Sequence, residues 1–314
     1  MRIVSLLPSA TEILFALGFD HEIVGVSHEC DFPPRAKTKT VVIQSRLPKD
    51  AAPDELDRLV REYIGRGESL YSVDADLIEE LEPDLIVTQD LCQVCAASPD
   101  DLATALSRFR RRPEVLCLNP QDLGDVWRDV LWVGEATGKE ERAQALVEKI
   151  GVRLAEAEFA VNAVAERPGV ALLEWLQPFY VGGHWVPELI QRAGGRDLLG
   201  KMRTPSYRIR PEEVIEAAPE VLLIAPCGYT KEQARDEYLS MSFPEGWQEI
   251  PAVRNGRVYA LDANSFVSRP GPRLVTGIES ILKILHPSAR VPEKAVAASV
   301  SIDSGHSFRS ATAS

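Results

Sequence analysis

Leu77-Ile78-Glu79-Glu80-Leu81-Glu82-Pro83-Asp84-Leu85-Ile86-Val87 and Val214-Ile215-Glu216-Ala217-Ala218-Pro219-Glu220-Val221-Leu222-Leu223-Ile224 follow one plan. In each, a short amphipathic helix runs up to a proline, which pushes the preceding residue towards extended backbone and so ends the helix. An unbroken apolar run follows, as expected of a strand buried on both faces of a parallel sheet. Outward from the first copy, β-rich runs fall at 2–7, 22–27, 84–88 and 114–118, separated by helical stretches near 9–18, 53–65, 74–82 and 99–110. Around the second copy, strands are expected at 169–174, 221–225 and 257–261, with helices near 186–193, 211–217, 231–239 and 271–285. Alternation of this kind predicts parallel sheets covered by helices.

The 314 residues suit two domains better than one. An amino-terminal α/β lobe is expected over 1–121 and a carboxyl-terminal one over 168–286, with a helical segment, 122–167, between them. Within that segment, 139–165 contains no proline and a single glycine, Gly151, and predicts one rigid connecting helix of roughly 40 Å. Residues 287–314 lack periodicity and are expected to form a disordered tail.

Net charge is −12, with 45% hydrophobic and 26% charged residues, as in a soluble globular protein. No basic stripe of the kind that neutralises phosphates is present, which argues against a nucleic-acid partner. No apolar run approaches the roughly 20 residues of a membrane helix. Met1–Pro8 is too short for the apolar core of a signal peptide and reads as a buried first strand. As it stands, the chain is expected to be cytoplasmic, or extracytoplasmic if a leader has been removed. A monomer is expected.

Open parallel sheets bind ligands at the carboxyl ends of their strands, so the residues after each strand carry the chemistry. Pro8-Ser9-Ala10-Thr11-Glu12 follows the first strand, with Ser9 and Glu12 spaced as a capping box. His28-Glu29-Cys30-Asp31-Phe32-Pro33 and Gln89-Asp90-Leu91-Cys92-Gln93-Val94-Cys95 follow two others in the first half. In the second half, Trp175-Leu176-Gln177-Pro178-Phe179-Tyr180 leads to Gly182-Gly183-His184-Trp185. Pro226-Cys227-Gly228-Tyr229 and Asn264-Ser265-Phe266-Val267-Ser268-Arg269 follow later strands. Aromatic, histidine and cysteine side chains thus collect on one edge of each lobe. No nucleophile elbow, phosphate-binding loop or dinucleotide fingerprint is present, and no enzymatic activity is expected.

Ser5-Leu6-Leu7-Pro8-Ser9-Ala10-Thr11-Glu12, Gly25-Val26-Ser27 leading to Asp31-Phe32-Pro33-Pro34, Leu81–Val87, and Ser268-Arg269-Pro270-Gly271-Pro272-Arg273 occur in this order. Together they resemble the substrate-binding subunits of iron-siderophore and cobalamin ABC importers, over roughly residues 2–286 and with the cobalamin-binding members most similar. The resemblance implies two Rossmann-like lobes, one connecting helix and a ligand cleft. It places Phe32, Arg269, Phe179 and Tyr71 (or its neighbour Leu70) at ligand-contacting positions, to which the edge residues Trp175, His184, Trp185, Tyr229 and Phe266 are added. It also implies that Asp76 and Glu212, each opening a short helix, dock onto a permease. The expected cargo is a corrinoid or related metal chelate, with no resident cofactor required.

Cys92-x-x-Cys95 has the spacing of a metal knuckle or a dithiol pair, and equally suits two reduced thiols packed under a loop. Cys30, His28 and Cys227 sit on other edge loops and could complete a metal set. That leaves a second reading, a metal- or cluster-binding redox protein on the same scaffold. Trp127 and Trp132 are expected to be packing residues, and Arg269 and Arg273 to share one face of the last helix.

Overall fold

The computed structural model of the protein describes residues 1–48, 51–89, 106 and 109–302. The chain divides into two compact units. The first comprises Met1–Pro120 with Gly124–Lys149; the second comprises Gln121–Leu123 with the chain from Ile150.

In the first unit the order is β1 (Ile3–Ser5), α1 (Pro8–Leu17), β2 (Ile23–Ser27), β3 (Thr40–Ser45), α2 (Pro53–Gly65), β4 (Tyr71–Val73), α3 (Ala75–Glu80), β5 (Leu85–Gln89), β6 (Glu114–Leu118) and α4 (Leu123–Thr137). Its sheet runs β4-β3-β2-β1-β5-β6, parallel except for the β3–β4 pair. Strand order reverses between β1 and β5, a topological switch point, which is where open α/β sheets bind ligands. Successive residues of the central strands serve opposite faces. Ile3, Leu85 and Val87 pack in a cluster with Ile13, Leu14, Val130 and Val133, whereas Val4 and Ile86 pack with Val42, Leu70 and Ile78. That double burial is why these strands are uniformly apolar.

The helix α5 (Glu140–Asn162) runs from the first unit into the second, about 35 Å at 1.5 Å per residue. After it come β7 (Gly169–Leu176), β8 (Phe179–Val181), α6 (Val186–Arg192), β9 (Arg196–Asp197), β10 (Tyr207–Arg208), α7 (Pro211–Ala217), β11 (Val221–Ile224), α8 (Lys231–Ser240), α9 (Pro251–Arg254), β12 (Val258–Leu261), α10 (Ala263–Phe266), α11 (Leu274–Leu285), α12 (Glu293–Val296) and β13 (Ser299–Ser301). The second sheet runs β10-β8-β7-β11-β12-β13, with β7, β11 and β12 parallel and antiparallel strands on both flanks.

The repeated Pro-acid motif forms the same clasp in both units. Asp84 Oδ2 accepts from the Arg2 amide (2.8 Å), and the Asp84 amide donates to the Arg2 carbonyl (2.8 Å). Glu220 Oε2 accepts from the Gly169 amide (2.6 Å), and the Glu220 amide donates to the Gly169 carbonyl (2.8 Å). Each acid thereby fixes where the central strand begins against its neighbour. The amide of Arg2 and the Arg111 guanidinium hold the Asp84 carboxyl below the usual carboxylate range, against some opposing desolvation.

Two expectations are corrected. The tail is not disordered from residue 287: α12 forms, and β13 pairs antiparallel with β12, Tyr259 opposite Ser301 and Leu261 opposite Ser299. The alternation of Ala298, Val300 and Ile302 with serines suits an edge strand that shows one face to the core, and Ile302 is 1% exposed. Residues 303–314 lie outside the described residues, as does most of the helix expected at 99–110. The Ser9/Glu12 capping box does not form, because Pro8 already occupies the first turn and Leu7 is the N-cap. The helix expected over 139–165 forms as α5, and α4, set off from it by Gly138 (φ 65°), belongs to the first unit.

The core stripe of α4 contains one charged group. Asp129 is 2% exposed, and its Oδ2 has no hydrogen-bond partner among the described residues. Burial, reinforced by Asp125, pushes its pKa up to about 7. A carboxyl group that binds its proton more tightly when folded stabilises the fold at low pH. That contribution is lost as pH rises from the ordinary value of 3.8 through about 7. Asp129→Asn is expected to flatten this part of the pH–stability curve and to gain roughly 2 kcal/mol at pH 8, read by urea unfolding across pH 4–8. A variant with the wild-type slope would exclude Asp129 as its source.

Candidate functional site

In the first unit, the carboxyl edge is built where β1 meets α1 and where β2 leads into the Cys30 loop. The Thr11 hydroxyl donates to Ser5 Oγ (2.8 Å) and lies 3.0 Å from Cys30 Sγ, tying α1 to both strands. Cys30 is 3% exposed and part of the core around Ile3 and Val26. His28 sits half-buried, its Nδ1 3.2 Å from the Ile43 carbonyl and its ring 6.3 Å from that of Tyr71. Phe32, by contrast, projects from the loop with 40% of its surface exposed, just before the cis Pro33. Tyr71 (6% exposed) and Leu70 (2%) are buried in the core cluster with Val42, Ile43 and Ile78. Neither presents a ligand surface.

The second unit laces four loops together at the carboxyl ends of β7, β11 and β12. Ser206 Oγ donates to Glu174 Oε2 (2.8 Å) and accepts from the Gly183 amide (3.2 Å). The Cys227 amide donates to the Glu174 carbonyl (3.1 Å), and the Asn264 amide to the Tyr229 carbonyl (3.1 Å). Trp175 meets Tyr229 edge-on, with centroids 5.8 Å apart and planes at 73°, and its indole N–H is satisfied by the Gln177 carbonyl (3.1 Å). Phe266 lies under the Arg273 guanidinium (5.6 Å), a cation–π contact, and Arg269 is half-buried on the same loop.

Several expected site residues take other roles. Phe179 is 4% exposed and packs on Trp247 (5.4 Å), because the alternation of β8 sends Phe179 and Val181 into the core. Tyr180, which the sequence reasoning passed over, pairs with Trp175 across β7–β8 and so shares its face. Trp185 is 5% exposed and donates from Nε1 to the Val267 carbonyl (2.8 Å), making it a brace. The glycines before His184 serve the protein's own backbone. A Cβ on Gly183 would fall 2.1 Å from the Thr204 carbonyl oxygen, and one on Gly182 would strike Val186. His184 itself has φ 47°, stacks on Trp185 (5.7 Å), and has its pKa lowered by burial. Arg269 precedes α11, which begins at Leu274, so Arg269 and Arg273 do not share a helical face. Trp132 is 42% exposed and is not a packing residue.

Cys92 and Cys95 lie outside the described residues. Cys30 is in the first unit and Cys227, exposed, in the second. Among the described residues, no three His, Cys, Asp or Glu side chains gather closely enough to hold a metal ion, and a set completed by Cys92 and Cys95 lies outside the described residues. Asp76 and Glu212 are both exposed in the first turns of α3 and α7. Asp76 borders a shallow groove of about 590 Å³ lined by Val41, Gln44, Ser72, Val73 and Asp74.

Two α/β units with polar and aromatic groups near the carboxyl ends of their parallel strands have the architecture in which open sheets bind small molecules. The Periplasmic binding protein family matches residues 3–265, and the chain belongs to that family. It is 24% identical over 293 residues to an uncharacterized ABC transporter substrate-binding lipoprotein, YvrC, of Bacillus subtilis, covering 91% of this chain and 80% of the relative. It is also 24% identical over 295 residues to a vitamin B12-binding protein of Vibrio cholerae, covering 90% and 88%. Among solved structures, the periplasmic heme-binding protein RhuT from Roseiflexus sp. RS-1 superposes with a TM-score of 0.69 at 24% identity, covering 92% and 99%. Substrate-binding proteins of this class take up a small molecule and deliver it to a permease, and they are transport components rather than enzymes. Among the described residues, no helix is long and apolar enough to cross a membrane.

Proposed function

We propose that this chain is the substrate-binding component of an ABC-type importer whose cargo is a flat metal chelate of the tetrapyrrole class, with a corrinoid first and a heme second. The observation that carries the reading is the chemistry of the two carboxyl edges. An exposed Phe32 stands on one, and Trp175, Tyr229 and Phe266 beside Arg269 and Arg273 stand on the other. Large conjugated ligands are held by aromatic faces, with a few polar groups fixing orientation. Relatives named for vitamin B12 and heme support the same class. A lipoprotein relative and a periplasmic neighbour support work outside the cytoplasmic membrane. Asp76 and Glu212 are proposed as the permease-docking carboxylates, with the groove beside Asp76 as part of that surface. A redox role lacks a ligand set among the described residues.

Titration of the full chain with cobalamin, cobinamide and hemin tests the reading. Saturable binding at micromolar concentration or below is expected for at least one of them. Phe32→Ala and Arg269→Ala are expected to weaken it roughly tenfold each, whereas Asp76→Ala and Glu212→Ala leave it unchanged. Failure to bind any of the three at tens of micromolar sinks the tetrapyrrole assignment.

A further inference from the structure

A helix on a protein surface turns its apolar stripe inward and keeps its outer face polar. The connecting helix α5 departs from that pattern. Its inward positions include Ala143, Ile150, Ala157 and Val161, all buried. On the other side Ala145, Glu148, Val152, Ala155, Phe159 and Asn162 are all exposed, alternately three and four residues apart. That is the spacing with which one helix packs along another, and four of the six side chains are apolar. Phe159 is 81% exposed and Val152 60%, the two highest values among the large hydrophobic residues described.

The two halves of this face differ in charge and shape. Arg142 and Lys149, on the first half, border a groove of about 300 Å³ whose other walls are Ala16, Gly18, Ala145 and Leu146. On the second half the exposed carboxylates Glu156 and Glu158 flank Phe159. A cavity of about 150 Å³ already holds an aromatic ring, and lysine and arginine cations favour the face of one. The groove thus suits what the other half offers, but the two lie at opposite ends of one continuous helix and cannot meet within one chain. A second copy laid antiparallel brings them together twice. We propose that α5 is a self-association surface, on which a second copy of this chain packs its own α5 about a two-fold axis between Val152 and Ala155. Phe159 of each copy then lies over the Ala145–Lys149 turn of the other, with Glu156 beside Lys149 of the other. Glu148, on the same turn, accepts from Gln144 Nε2 (3.2 Å). Parallel packing would instead face Lys149 with Gln144 and leave the charges unmatched. The contact is isologous, and one helix pair buries less than the roughly 1,200 Å² of tight complexes, so the dimer is weak and reversible. It replaces the monomer expected from the sequence.

The experiment follows the mass of the full-length protein by sedimentation equilibrium, from micromolar concentration to several hundred micromolar. A reversible monomer–dimer equilibrium is expected, with a dissociation constant on the order of 100 μM. Phe159→Asp is expected to stay monomeric throughout and to keep the wild-type urea midpoint, because so exposed a side chain adds little to the fold. Lys149→Glu and Glu156→Lys are each expected to weaken dimerisation about fivefold, since each sets like charges together at both ends of the contact. Mixing these two variants is expected to restore it, because every altered residue then faces an opposite charge. The Lys149→Glu/Glu156→Lys double variant is likewise expected to return to within about twofold of wild type. A wild-type chain that is monomeric at every concentration overturns the proposal, as does a Phe159→Asp protein that still dimerises. Charge variants that dimerise like wild type, or that mixing does not rescue, overturn the antiparallel pairing on which it rests.

Discussion

Replacing Trp247 with alanine is expected to remove about 4 kcal/mol of stability from the second unit, seen as a fall of roughly 2 M in its urea midpoint. Trp247 is 0% exposed and the largest fully buried side chain. Its ring stacks on Phe243 (4.5 Å, 14°), touches Phe179 (5.4 Å), and donates from Nε1 to the Tyr238 hydroxyl (3.0 Å). Truncation opens a cavity among three aromatic rings, two of which, Tyr238 and Phe179, are fixed by α8 and β8, so collapse around it is limited. It also strips the Tyr238 hydroxyl, already pushed up to about pKa 12 by burial, of its donor. Trp247→Phe keeps most of the volume and is expected to lose about half as much. A Trp247→Ala protein within 1 kcal/mol of wild type would mean that this cluster repacks freely, contrary to the geometry.

The second large effect lies on the connecting helix. Arg153 forms a bidentate pair with Glu279 (Nε to Oε1 2.8 Å, Nη2 to Oε2 2.6 Å) and donates to Thr276 Oγ1 (2.9 Å). Glu279 is only 6% exposed, on a helix, α11, that is buried along nearly its whole length. Arg153→Ala leaves that carboxylate desolvated and is expected to cost about 3 kcal/mol. Removing both charges, as in Arg153→Met with Glu279→Leu, is expected to cost about 1 kcal/mol or less, since the attraction and the two desolvation penalties vanish together. Equal losses in the single and double variants, measured by urea unfolding, would show that the cost is packing and not an abandoned charge.

The central strands of both units were readable from sequence because they are buried on both faces. Leu85–Val87 of β5 and all of β11 appear as unbroken apolar runs, and each proline marks the end of the helix before it. The antiparallel flanks were not readable. β4, β8, β10 and β13 are two to three residues long in the structure, and so short a segment becomes a strand only when a neighbour supplies hydrogen bonds. For the edge residues, chain position was readable but orientation was not. Phe179 and Tyr180 are adjacent and opposite in fate, and only pairing with β7 shows which faces Trp175. The period-two pattern at 179–181 was the available signal. Glu174 and Ser206 carried no signal, because each acts through a residue distant in the chain.

The paired clasps at Asp84 and Glu220 anchor only the amino ends of the central strands. Each lobe therefore has an anchored pole, where strand register is fixed by a carboxylate on a backbone amide, and an opposite pole made of loops. Substitutions or insertions at the loop pole leave register undisturbed, so one scaffold can exchange its cargo by exchanging loops. Register itself is inherited from two short motifs at the pole opposite the carboxyl edges.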